Sequence, residues 1–328
     1  MKIALVILNW NGKSLLEKFL PSVIKHSESA DLYVIDNGST DDSVTFLSQA
    51  FNTINVIALD RNYGFAKGYN LGLKQVNADV FCLMNNDVSV ADHWLDGVEE
   101  AFKKRKLAIA QPLIMDMNRP DTFEYAGAAG GFIDAFGFPY CRGRLFTSVE
   151  KNTGQYHNAL TCFWASGACF FVDSSCWEKL GGFDEDFFMH QEEIDFCWRA
   201  FNHHYTSGLL PSSKVYHQGA ASLPISKNKT YFNHRNSLWM LIKNVPKISL
   251  FPVLIVRLVF DGLAAFYYLL QGKPTAFLMV IKAHLKVYVT FFKMYKKRDK
   301  TPFKRNYFHR RSIVFDYFFL RKRKFNLL

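Results

Sequence analysis

The chain has 328 residues, of which 49% are hydrophobic and 21% are charged, so it is a folded protein large enough for two domains or for one large domain with an appendage. Residues 293–328 hold 13 of the 40 Lys and Arg but only two of the 29 Asp and Glu, and the rest of the chain is balanced at 27 of each. A nucleic-acid-binding protein usually carries its basic residues on the folded reading surface, so we expect no nucleic-acid partner. A basic tail that follows an apolar region favours an anionic membrane surface instead.

The cysteines and the N-terminus indicate a reducing compartment. No CxxC pair is present, and most of the six cysteines lie among apolar residues, which favours buried thiols over disulfides or zinc ligands. The N-terminal apolar run Ile3–Leu8 is too short for a signal peptide. We therefore expect the chain to stay in the cytoplasm.

Residues 2–114 alternate between strand and helix patterns. The predicted strands are Ile3–Leu8, Leu32–Asp36, Val56–Leu59, Val80–Met84 and Ala108–Ile114. Three predicted helices are Ser14–Ile24, Phe65–Gln75 and His93–Lys104. A further helix is predicted to follow the capping turn at 38–42 and to run through Phe51. This alternation predicts an α/β fold, with a mainly parallel central sheet and helices on both faces.

Polar residues gather where the predicted strands end. The four clusters are Asn9-Trp-Asn-Gly12, Asp36-Asn-Gly-Ser39, Asp60-Arg-Asn-Tyr-Gly64 and Asn85-Asn-Asp87. If the strands are parallel, all four lie along one edge of the sheet, where open α/β sheets bind ligands. Asn, Asp and Gly also serve turns for backbone reasons, and we assign Gly12, Gly38, Asp41 and Asp42 to that role. Asp36 at a strand tip and Arg61 are not explained by a turn.

A second group of candidate residues follows residue 160. Trp164 precedes an apolar strand that runs through Val172, and it either lines a binding site or packs in the core. A helix is predicted to start near Gln191 or Glu192. Asp195 and Arg199 are four residues apart on that helix and can pair, so we assign them a structural role. Glu192 and Glu193 remain as candidate bases, since clustered carboxylates raise one another's pKa.

These segments together resemble the motif series of family-2 glycosyltransferases, most closely the rhamnosyltransferase-like members. The matching segments are Val6–Gly12, Val34–Ser43, Arg61–Asn70, Leu83–Val88, Ala165–Ala168, Gly181–Glu185, Gln191–Arg199 and His217. They follow the family's order over about the first 240 residues. The resemblance implies an inverting enzyme with the GT-A type of nucleotide-sugar-binding fold.

The resemblance also implies roles for the residues at the sheet edge. Asp36 would accept the imide N–H of a uracil or thymine ring, because a carboxylate only accepts hydrogen bonds. The implied donor-binding residues are Asn9, Asn11, Asp36, Arg61, Gly64, Lys67, Asn70 and Asn86. For Lys67, a solvated position on the helix remains the alternative to phosphate contact.

The implied metal site is centred on Asp87, which would coordinate Mg²⁺ or Mn²⁺. Asn85 stands where the family's DxD pattern has its first acid, and one carboxylate binds a hard cation less tightly than two. The metal therefore needs the diphosphate or the help of His217, for which a structural hydrogen-bonding role is the alternative.

The implied catalytic base is Glu193, which takes the place of the second acid in the family's Glu-Asp-x-Asp pattern. Glu192 and Trp164 are candidates for the acceptor side. Arg235 is a candidate for contact with phosphate or with a lipid-linked acceptor. The aromatic and Gly-rich segment 116–150 is predicted to form a ribbon or mobile loop at the rim.

We divide the chain into residues 1–240, the GT-A domain, and residues 241–328, apolar helices with a basic tail. Ile248–Gln271 and Ala276–Phe292 are apolar but interrupted by charges, and neither is a charge-free span of about 20 residues. Arg257 and Asp261 share a helix face, as do Lys282 and Lys286, a pattern that suits helices in the membrane interface. A soluble helical subdomain that covers the catalytic core is the alternative.

The sequence thus predicts a metal-dependent inverting glycosyltransferase, peripheral on the inner face of the cell membrane. It would move a sugar from dTDP-rhamnose or a UDP-hexose to a glycan, on a polyprenyl carrier, in cell-surface polysaccharide synthesis. The alternatives are a processive polysaccharide synthase, against which the missing QxxRW motif argues, and a non-catalytic nucleotide-sugar-binding protein, which the loss of the first acid at Asn85 keeps open.

Overall fold

A computed structural model describes residues 1–219, 228–301 and 303–328 as strands and helices around one large sheet. The strands are β1 (Ile3–Asn9), β2 (Asp31–Asp36), β3 (Asn55–Ala58), β4 (Val80–Asn85), β5 (Val88–Val90), β6 (Ile109–Asp116), β7 (Arg119–Phe123), β8 (Gly131–Ile133), β9 (Pro139–Cys141), β10 (Arg144–Leu145), β11 (Ser148–Val149), β12 (Thr161–Cys162), β13 (Cys169–Asp173) and β14 (Ser207–His217). The helices are α1 (Lys13–Lys25), α2 (Ser43–Ala50), α3 (Gly64–Leu73), α4 (Val98–Lys103), α5 (Ser174–Leu180), α6 (Glu192–Asn202), α7 (Lys229–Asn244), α8 (Lys247–Leu270), α9 (Pro274–Lys296) and α10 (Ile313–Phe318). Short 3-10 turns lie at Glu185–Phe187 and Phe325–Leu327.

The central sheet has the strand order β12-β14-β6-β13-β4-β1-β2-β3, with β5 beside β14 and β7 beside β6. Strands β3, β2, β1 and β4 are parallel neighbours, and β13 runs antiparallel between β4 and β6. The five predicted strands of the first half are therefore confirmed to within about two residues at their ends. The α/β class with a mainly parallel sheet is also confirmed.

The register of the parallel strands places their carboxyl ends together. Asn9 pairs with Asp36, Leu8 pairs with Asn85, and Asp36 pairs with Ala58. The polar clusters that follow these strands consequently meet at one edge of the sheet, as the alternating pattern predicts.

One predicted helix is much shorter than its pattern indicates. The expected span was His93–Lys104, but α4 begins only at Val98 because residues 93–97 form turns. His93 has a left-handed φ of 58°, and the fully buried Trp94 donates its indole N–H to Ser27 Oγ at 3.0 Å. Burial of this large side chain overrides the local helical preference.

Residues 131–149 form a second, four-stranded antiparallel sheet in the order β11-β10-β9-β8, which we call the ribbon. It confirms the prediction of a ribbon in segment 116–150. The C-terminal residues pack onto it: Ile313 and Tyr317 of α10 form a buried cluster with Tyr140 and Leu145. The Tyr317 hydroxyl also bonds to Ser148 Oγ at 2.9 Å.

The basic tail therefore packs against the rest of the protein and is not a free arm. Lys297 pairs with Asp186 at 2.7 Å and with Asp184, and Arg310 pairs with Asp316 at 3.2 Å. Part of the excess positive charge is thus neutralised by contacts within the fold. Exposed basic residues remain near the C-terminus, at Arg321, Arg323 and Lys324.

Helix α8 turns its charged face inward. Arg257 and Asp261 are 2% and 1% exposed, and Arg257 donates to Ser237 Oγ at 2.8 Å and to the Phe136 carbonyl at 3.2 Å. The expectation that these charges face an interface is wrong, because α7 and the ribbon supply their partners. The outward faces of α8 and α9 are largely apolar, although Lys282 and Lys286 of α9 are also exposed. The exposed large apolar side chains include Ile248, Phe251, Ile255, Leu258, Val259, Leu263, Phe266, Leu270, Leu285, Val289 and Phe292.

These two helices are long and apolar enough, by length and composition, to be candidates for membrane spans. The predicted boundary between residues 240 and 241 falls inside α7, which runs on to Asn244 and packs against both α6 and α9.

We predict that Ile313→Ala destabilises the protein by about 2–5 kcal/mol, because it leaves a cavity in the buried cluster between α10 and the ribbon. Denaturant unfolding would measure the loss. The control is Phe319→Ala, since Phe319 is 71% exposed and should lose little. Equal stability of Ile313→Ala and the wild type would show that the tail does not pack on the ribbon.

Candidate active site

A hydrogen-bonded network joins the tips of β1, β2 and β4. Asn9 donates to Asp36 Oδ2 at 3.2 Å, and Asn86 donates to Asn9 Oδ1 at 2.9 Å. The second oxygen of Asp36 accepts the backbone N–H of Ser39 at 2.9 Å. A Cβ on Gly12 would lie 2.4 Å from both Asn9 Oδ1 and Asn86 Nδ2, so glycine is required beside the network. Gly12 therefore has a packing role besides the turn that the sequence indicates.

The remaining predicted donor-binding residues surround this network. Asn11 accepts the backbone N–H of Thr40 at 2.7 Å, and the exposed Arg61 guanidinium lies over the Tyr63 ring at 4.9 Å. Lys67 pairs with Glu185 at 3.3 Å. Arg61 consequently keeps its N–H groups at the surface near the sheet edge, whereas Lys67 already has a carboxylate partner.

The start of α3 is already in contact with protein. The Phe188 carbonyl accepts the N–H of Phe65 at 2.9 Å, and a Cβ on Gly64 would lie 2.5 Å from the Phe188 ring. Asn70 exchanges two hydrogen bonds with the backbone of Phe183, at 2.8 and 3.0 Å. Gly64 and Asn70 thus position residues 183–188 against α3 in this structure.

Asp87 and His217 lie side by side because β5 pairs with the end of β14, with His217 opposite Val88. His217 Nε2 is 3.0 Å from Asp87 Oδ1, and its Nδ1 is 3.6 Å from Glu124 Oε1. Both Asp87 carboxylate oxygens are buried and receive no well-aligned hydrogen bond from a described residue. Burial lowers the pKa of His217, but the contacts with Asp87 and Glu124 outweigh it and raise this pKa to about 10.

This cluster fits a cation only in part. Orphaned, buried carboxylate oxygens such as those of Asp87 suit a hard metal ion, and neutral imidazole is a metal ligand. Within residues 1–219, 228–301 and 303–328, however, no three His, Cys, Asp or Glu side chains are arranged to hold a metal by themselves. Mg²⁺ is usually bound through one or two carboxylates plus substrate phosphates, so a site of this kind needs the substrate to complete it.

A cleft of about 370 Å³ brings the two acids of α6 and His217 into one site. Its walls include Glu192, Glu193, Trp164, His217 and Asn85. Such a volume is within the range of ligand pockets in enzymes.

Both glutamates are poised to hold protons near neutral pH. Burial raises the pKa of Glu193 to about 7, and burial together with the neighbouring Glu193 raises the pKa of Glu192 well above its ordinary value. One oxygen of each carboxylate is buried without a hydrogen-bond partner among the described residues. A carboxylate with a pKa near the working pH is suited to general base catalysis.

The loop before α6 is held by side chains of α7. Its residues Phe188, His190 and Gln191 all have left-handed φ angles, between 65° and 69°. Asn236 donates to the carbonyls of Phe187, Met189 and His190, at 3.1, 2.8 and 2.8 Å. The strained backbone therefore persists because one buried amide satisfies three of its carbonyls.

Arg235 contributes to the same clamp. It donates to the Phe187 carbonyl at 3.0 Å and lies over the Trp239 ring at 4.1 Å. Arg235 is not part of the cleft wall, in contrast to our expectation of an acceptor contact. Asp195 and Arg199 pair at 3.0 Å as predicted, and Lys243 of α7 joins them at 2.7 Å from Asp195.

Trp164 combines the two roles that the sequence left open. Its indole N–H donates to the Phe132 carbonyl at 2.8 Å, and its ring packs so closely on Gly131 that a Cβ there would lie 1.9 Å away. It is 4% exposed and still contributes to the cleft wall.

Sequence reasoning missed Glu124 and Asn236. Glu124 lies in a Gly-rich and aromatic stretch that carries no motif, and Asn236 lies in a helix whose pattern shows only an apolar face. Glu124 contacts His217, and Asn236 contacts residues 187–190. Both partners are far away in the chain. No local pattern indicates such partners.

A mixed α/β sheet with these strand ends is the architecture of GT-A glycosyltransferases, and solved structures confirm the likeness. S. aureus TarS 1-349 in complex with UDP-GlcNAc superposes with a TM-score of 0.56 at 14% identity, over 91% of this chain and 84% of that one. The mannosyltransferase PcManGT from Pyrobaculum calidifontis, in complex with GDP-Man and Mn²⁺, gives 0.52 at 12% identity, over 88% and 75%. GalNAc-T7 with UDP, GalNAc and Mn²⁺ gives 0.52 at 19% identity, over 70% and 48%. At these identities the likeness concerns the fold.

Residues 4–168 match the sequence profile of glycosyl transferase family 2. This match covers half of the chain, and the chain belongs to that family. The resemblance seen in the sequence motifs is thereby confirmed.

Curated relatives share between 22% and 27% of their residues with the chain over the matched segments. The chain is 23% identical over 205 residues to the low-salt glycan biosynthesis hexosyltransferase Agl10 of Haloferax volcanii, a match of 60% of this chain and 61% of that protein. It is 27% identical over 227 residues to the N-acetylglucosaminyl-diphospho-decaprenol L-rhamnosyltransferase of Mycobacterium tuberculosis, over 63% and 73%. It is 22% identical over 206 residues to the dTDP-rhamnosyl transferase RfbF of Shigella flexneri, over 58% and 64%. The chain thus spans about two thirds of the length of these relatives.

We predict that Asn236→Ala lowers the turnover of sugar transfer by about 100-fold, because the loop before Glu193 loses its clamp and a shift of about 1 Å misplaces this candidate base. Steady-state kinetics would show the loss in kcat. Asn55→Ala is the matched control, since it removes an Asn-to-carbonyl bond of 3.3 Å on the remote strand β3. Normal turnover of a folded Asn236→Ala protein would contradict the clamp.

Proposed function

We propose that this protein is a metal-dependent inverting glycosyltransferase of glycan biosynthesis. The donor would be a nucleotide diphosphate sugar, dTDP-rhamnose or a UDP-hexose, and the acceptor a hydroxyl of a polyprenyl-linked glycan. The observation that carries the proposal is the single cleft whose walls contain both Glu193 and His217, with Asp87 against His217. A proton acceptor and a cation-binding group thus face the same space.

Glu193 would act as the general base. It would take the proton of the acceptor hydroxyl while that oxygen attacks the anomeric carbon, and the bond from this carbon to the diphosphate oxygen would break in the same displacement. Attack opposite the leaving group inverts the anomeric centre. A pKa of about 7 leaves a substantial fraction of Glu193 ionised at neutral pH and still basic enough to accept the proton.

Asp87 and His217 would hold Mg²⁺ or Mn²⁺ together with the donor diphosphate. The ion would neutralise the charge that builds up on the departing diphosphate. His217 has to release its proton before it can ligate, and its raised pKa makes metal binding dependent on pH. Two structural neighbours are described as Mn²⁺ complexes, which supports a divalent ion.

Donor recognition would centre on the network at the sheet edge. Asp36 would read the base, and Asn9 and Asn86 would hold its carboxylate in place through the bonds described above. The donor-binding set that we propose remains Asn9, Asn11, Asp36, Arg61, Gly64, Lys67, Asn70 and Asn86. The names of two relatives support a deoxysugar donor, since they describe rhamnosyltransferases.

The acceptor would enter past Trp164 and Glu192, which line the cleft next to Glu193. We assign Arg235 a positioning role, because its guanidinium bonds to the loop before α6. A lipid-linked acceptor is supported by the name of the mycobacterial relative, a diphospho-decaprenol rhamnosyltransferase.

The protein would lie on the inner face of the cell membrane, with residues 1–240 catalytic and residues 241–328 membrane-associating. The outward faces of α8 and α9 expose an apolar surface that soluble monomers rarely carry. Arg257 and Asp261 of α8 point inward, so burial of this surface in lipid leaves them with their partners, while Lys282 and Lys286 of α9 are exposed. Exposed basic residues near the C-terminus would add attraction to anionic lipids.

A non-catalytic nucleotide-sugar-binding protein is the second candidate. It is favoured by Asn85, which replaces one acid of the usual pair, and by the incomplete metal cage. The two candidates differ in what Glu193 does.

We predict that Glu193→Gln lowers sugar transfer at least 1000-fold while donor affinity changes less than threefold, because the amide keeps the shape of the side chain but cannot accept the proton. Nucleoside diphosphate release would be measured with a panel of nucleotide sugars, with and without Mn²⁺. In the wild type, kcat/KM should rise with pH through about 7 as Glu193 loses its proton.

The matched control is Glu178→Gln, an exposed acid on α5 that lies outside the cleft. Asp87→Ala should abolish the response to Mn²⁺. The binding-protein candidate would be favoured over the enzyme if the wild type bound donors without releasing nucleoside diphosphate and Glu193→Gln behaved in the same way.

We also predict that the combined substitution of Phe251, Ile255, Val289 and Phe292 by Ser weakens binding to vesicles with anionic lipid by tenfold or more, because it removes exposed apolar area from α8 and α9. Co-sedimentation would measure it. Val44→Ser with Leu160→Ser is the control, as these exposed apolar residues lie elsewhere in the chain. Unchanged sedimentation of the fourfold variant would exclude this surface as the membrane contact.

A further inference from the structure

Arg144 is a cation in the cleft wall that the scheme above does not use. It lies on β10 of the ribbon and shares the cleft with Glu193. Its guanidinium lies over the Tyr125 ring at 4.5 Å, and its Nε is buried without a hydrogen-bond partner among the described residues.

No carboxylate among the described residues forms an ion pair with Arg144. No described Asp or Glu oxygen is within 4.0 Å of its nitrogens, whereas many other basic residues have such a partner. Positions 220–227 and 302, which the structure does not describe, contain no Asp or Glu either. A partly buried, unpaired cation is costly, so this placement indicates a ligand that supplies the negative charge.

The chemistry of the arginine side chain indicates that this ligand is an oxyanion. An arginine with one face on an aromatic ring keeps the N–H groups of its planar fork free for a bidentate contact. Phosphate oxygens match this fork, and such charge-assisted bonds are roughly twice as strong as neutral ones. Lys229 at the start of α7 lines the same cleft and adds a second positive charge.

The proposed reaction involves two diphosphates, that of the sugar donor and that of the lipid-linked acceptor. The position of the ribbon favours the acceptor diphosphate as the ligand of Arg144. Pro139 of the ribbon lines the cleft, and the adjacent Phe138 packs on Phe260 of α8 with ring centroids 5.7 Å apart. On its other flank Phe146 packs on Phe318 of α10 at 5.1 Å. Arg144 therefore lies on an element held between two surfaces that expose apolar side chains, which is where the lipid end of an acceptor would approach.

We propose that Arg144 binds the phosphate that links the acceptor glycan to its lipid, so that the cleft selects lipid-phosphate-linked acceptors over neutral glycosides. This inference rests on the proposed function and names the acceptor class of the same site.

The test is a binding measurement that does not depend on turnover. The full chain is saturated with Mn²⁺ and a nucleoside diphosphate to fill the donor side, and it is titrated calorimetrically with a sugar on a short prenyl diphosphate. Arg144→Gln should weaken this binding by roughly 10- to 100-fold, the effect of one charge-assisted bidentate contact. The neutral alkyl glycoside of the same sugar should bind wild type and Arg144→Gln equally.

Two further variants separate charge from geometry. Arg144→Lys should recover only part of the affinity, because an ammonium group lacks the fork. Arg323→Gln is the matched control, since Arg323 is also an arginine over a tyrosine, Tyr317 at 3.8 Å, but lies outside the cleft wall. Its affinity should equal that of the wild type.

Equal affinity of wild type and Arg144→Gln for the prenyl diphosphate sugar would overturn the inference. A loss confined to nucleoside diphosphate binding would also overturn it, since it would assign Arg144 to the donor. If Arg144→Gln does not fold, inorganic pyrophosphate is used with the wild type: it should compete with the acceptor while the donor side is filled, and no competition overturns the proposal. Failure of the enzyme proposal itself would appear separately, as an absence of nucleoside diphosphate release that Glu193→Gln does not alter.

Discussion

The carbonyl groups of residues 187–190 need hydrogen-bond donors, and the side chains that supply these donors determine the geometry of the candidate site. Three of the four residues 188–191 have positive φ angles, so this backbone does not satisfy these carbonyls internally, and buried unpaired carbonyls are costly. Asn236 and Arg235 of α7 supply the donors. Because α6 begins directly after this loop, the same bonds set where Glu192 and Glu193 enter the cleft.

The cleft separates two kinds of electrostatic environment. On one wall, burial without partners raises the pKa values of Glu192 and Glu193, so protons are held there. On the other wall, Asp87 and Glu124 surround His217 and favour a positive charge, be it a proton or a metal ion. In the proposed reaction, the donor diphosphate needs a positive charge beside it and the acceptor hydroxyl needs a proton acceptor beside it. These two groups lie on opposite sides of the anomeric carbon.

The C-terminal helices connect this site with the outward apolar surface. Lys243 of α7 bonds to both Asp184 and Asp195 at 2.7 Å, and Lys297 beyond α9 pairs with Asp186. Arg257 and Asp261 of α8 make internal contacts, which leaves the outer face of this helix largely apolar. Residues 241–297 thus help to hold the segment 184–195 in place, although composition alone makes them look like an appendage.

The sequence by itself determined the parallel strands, the polar edge where they end and the candidate base Glu193, because strand periodicity and motif order are local properties that survive in any packing of these segments. Only the tertiary structure decided that Glu124 faces His217, that Asn236 and Arg235 hold the loop before α6, and that Arg257 and Asp261 point inward. Each of these depends on which distant segment supplies a partner for a buried polar group. That choice is made by long-range packing and leaves no periodic signal in the chain.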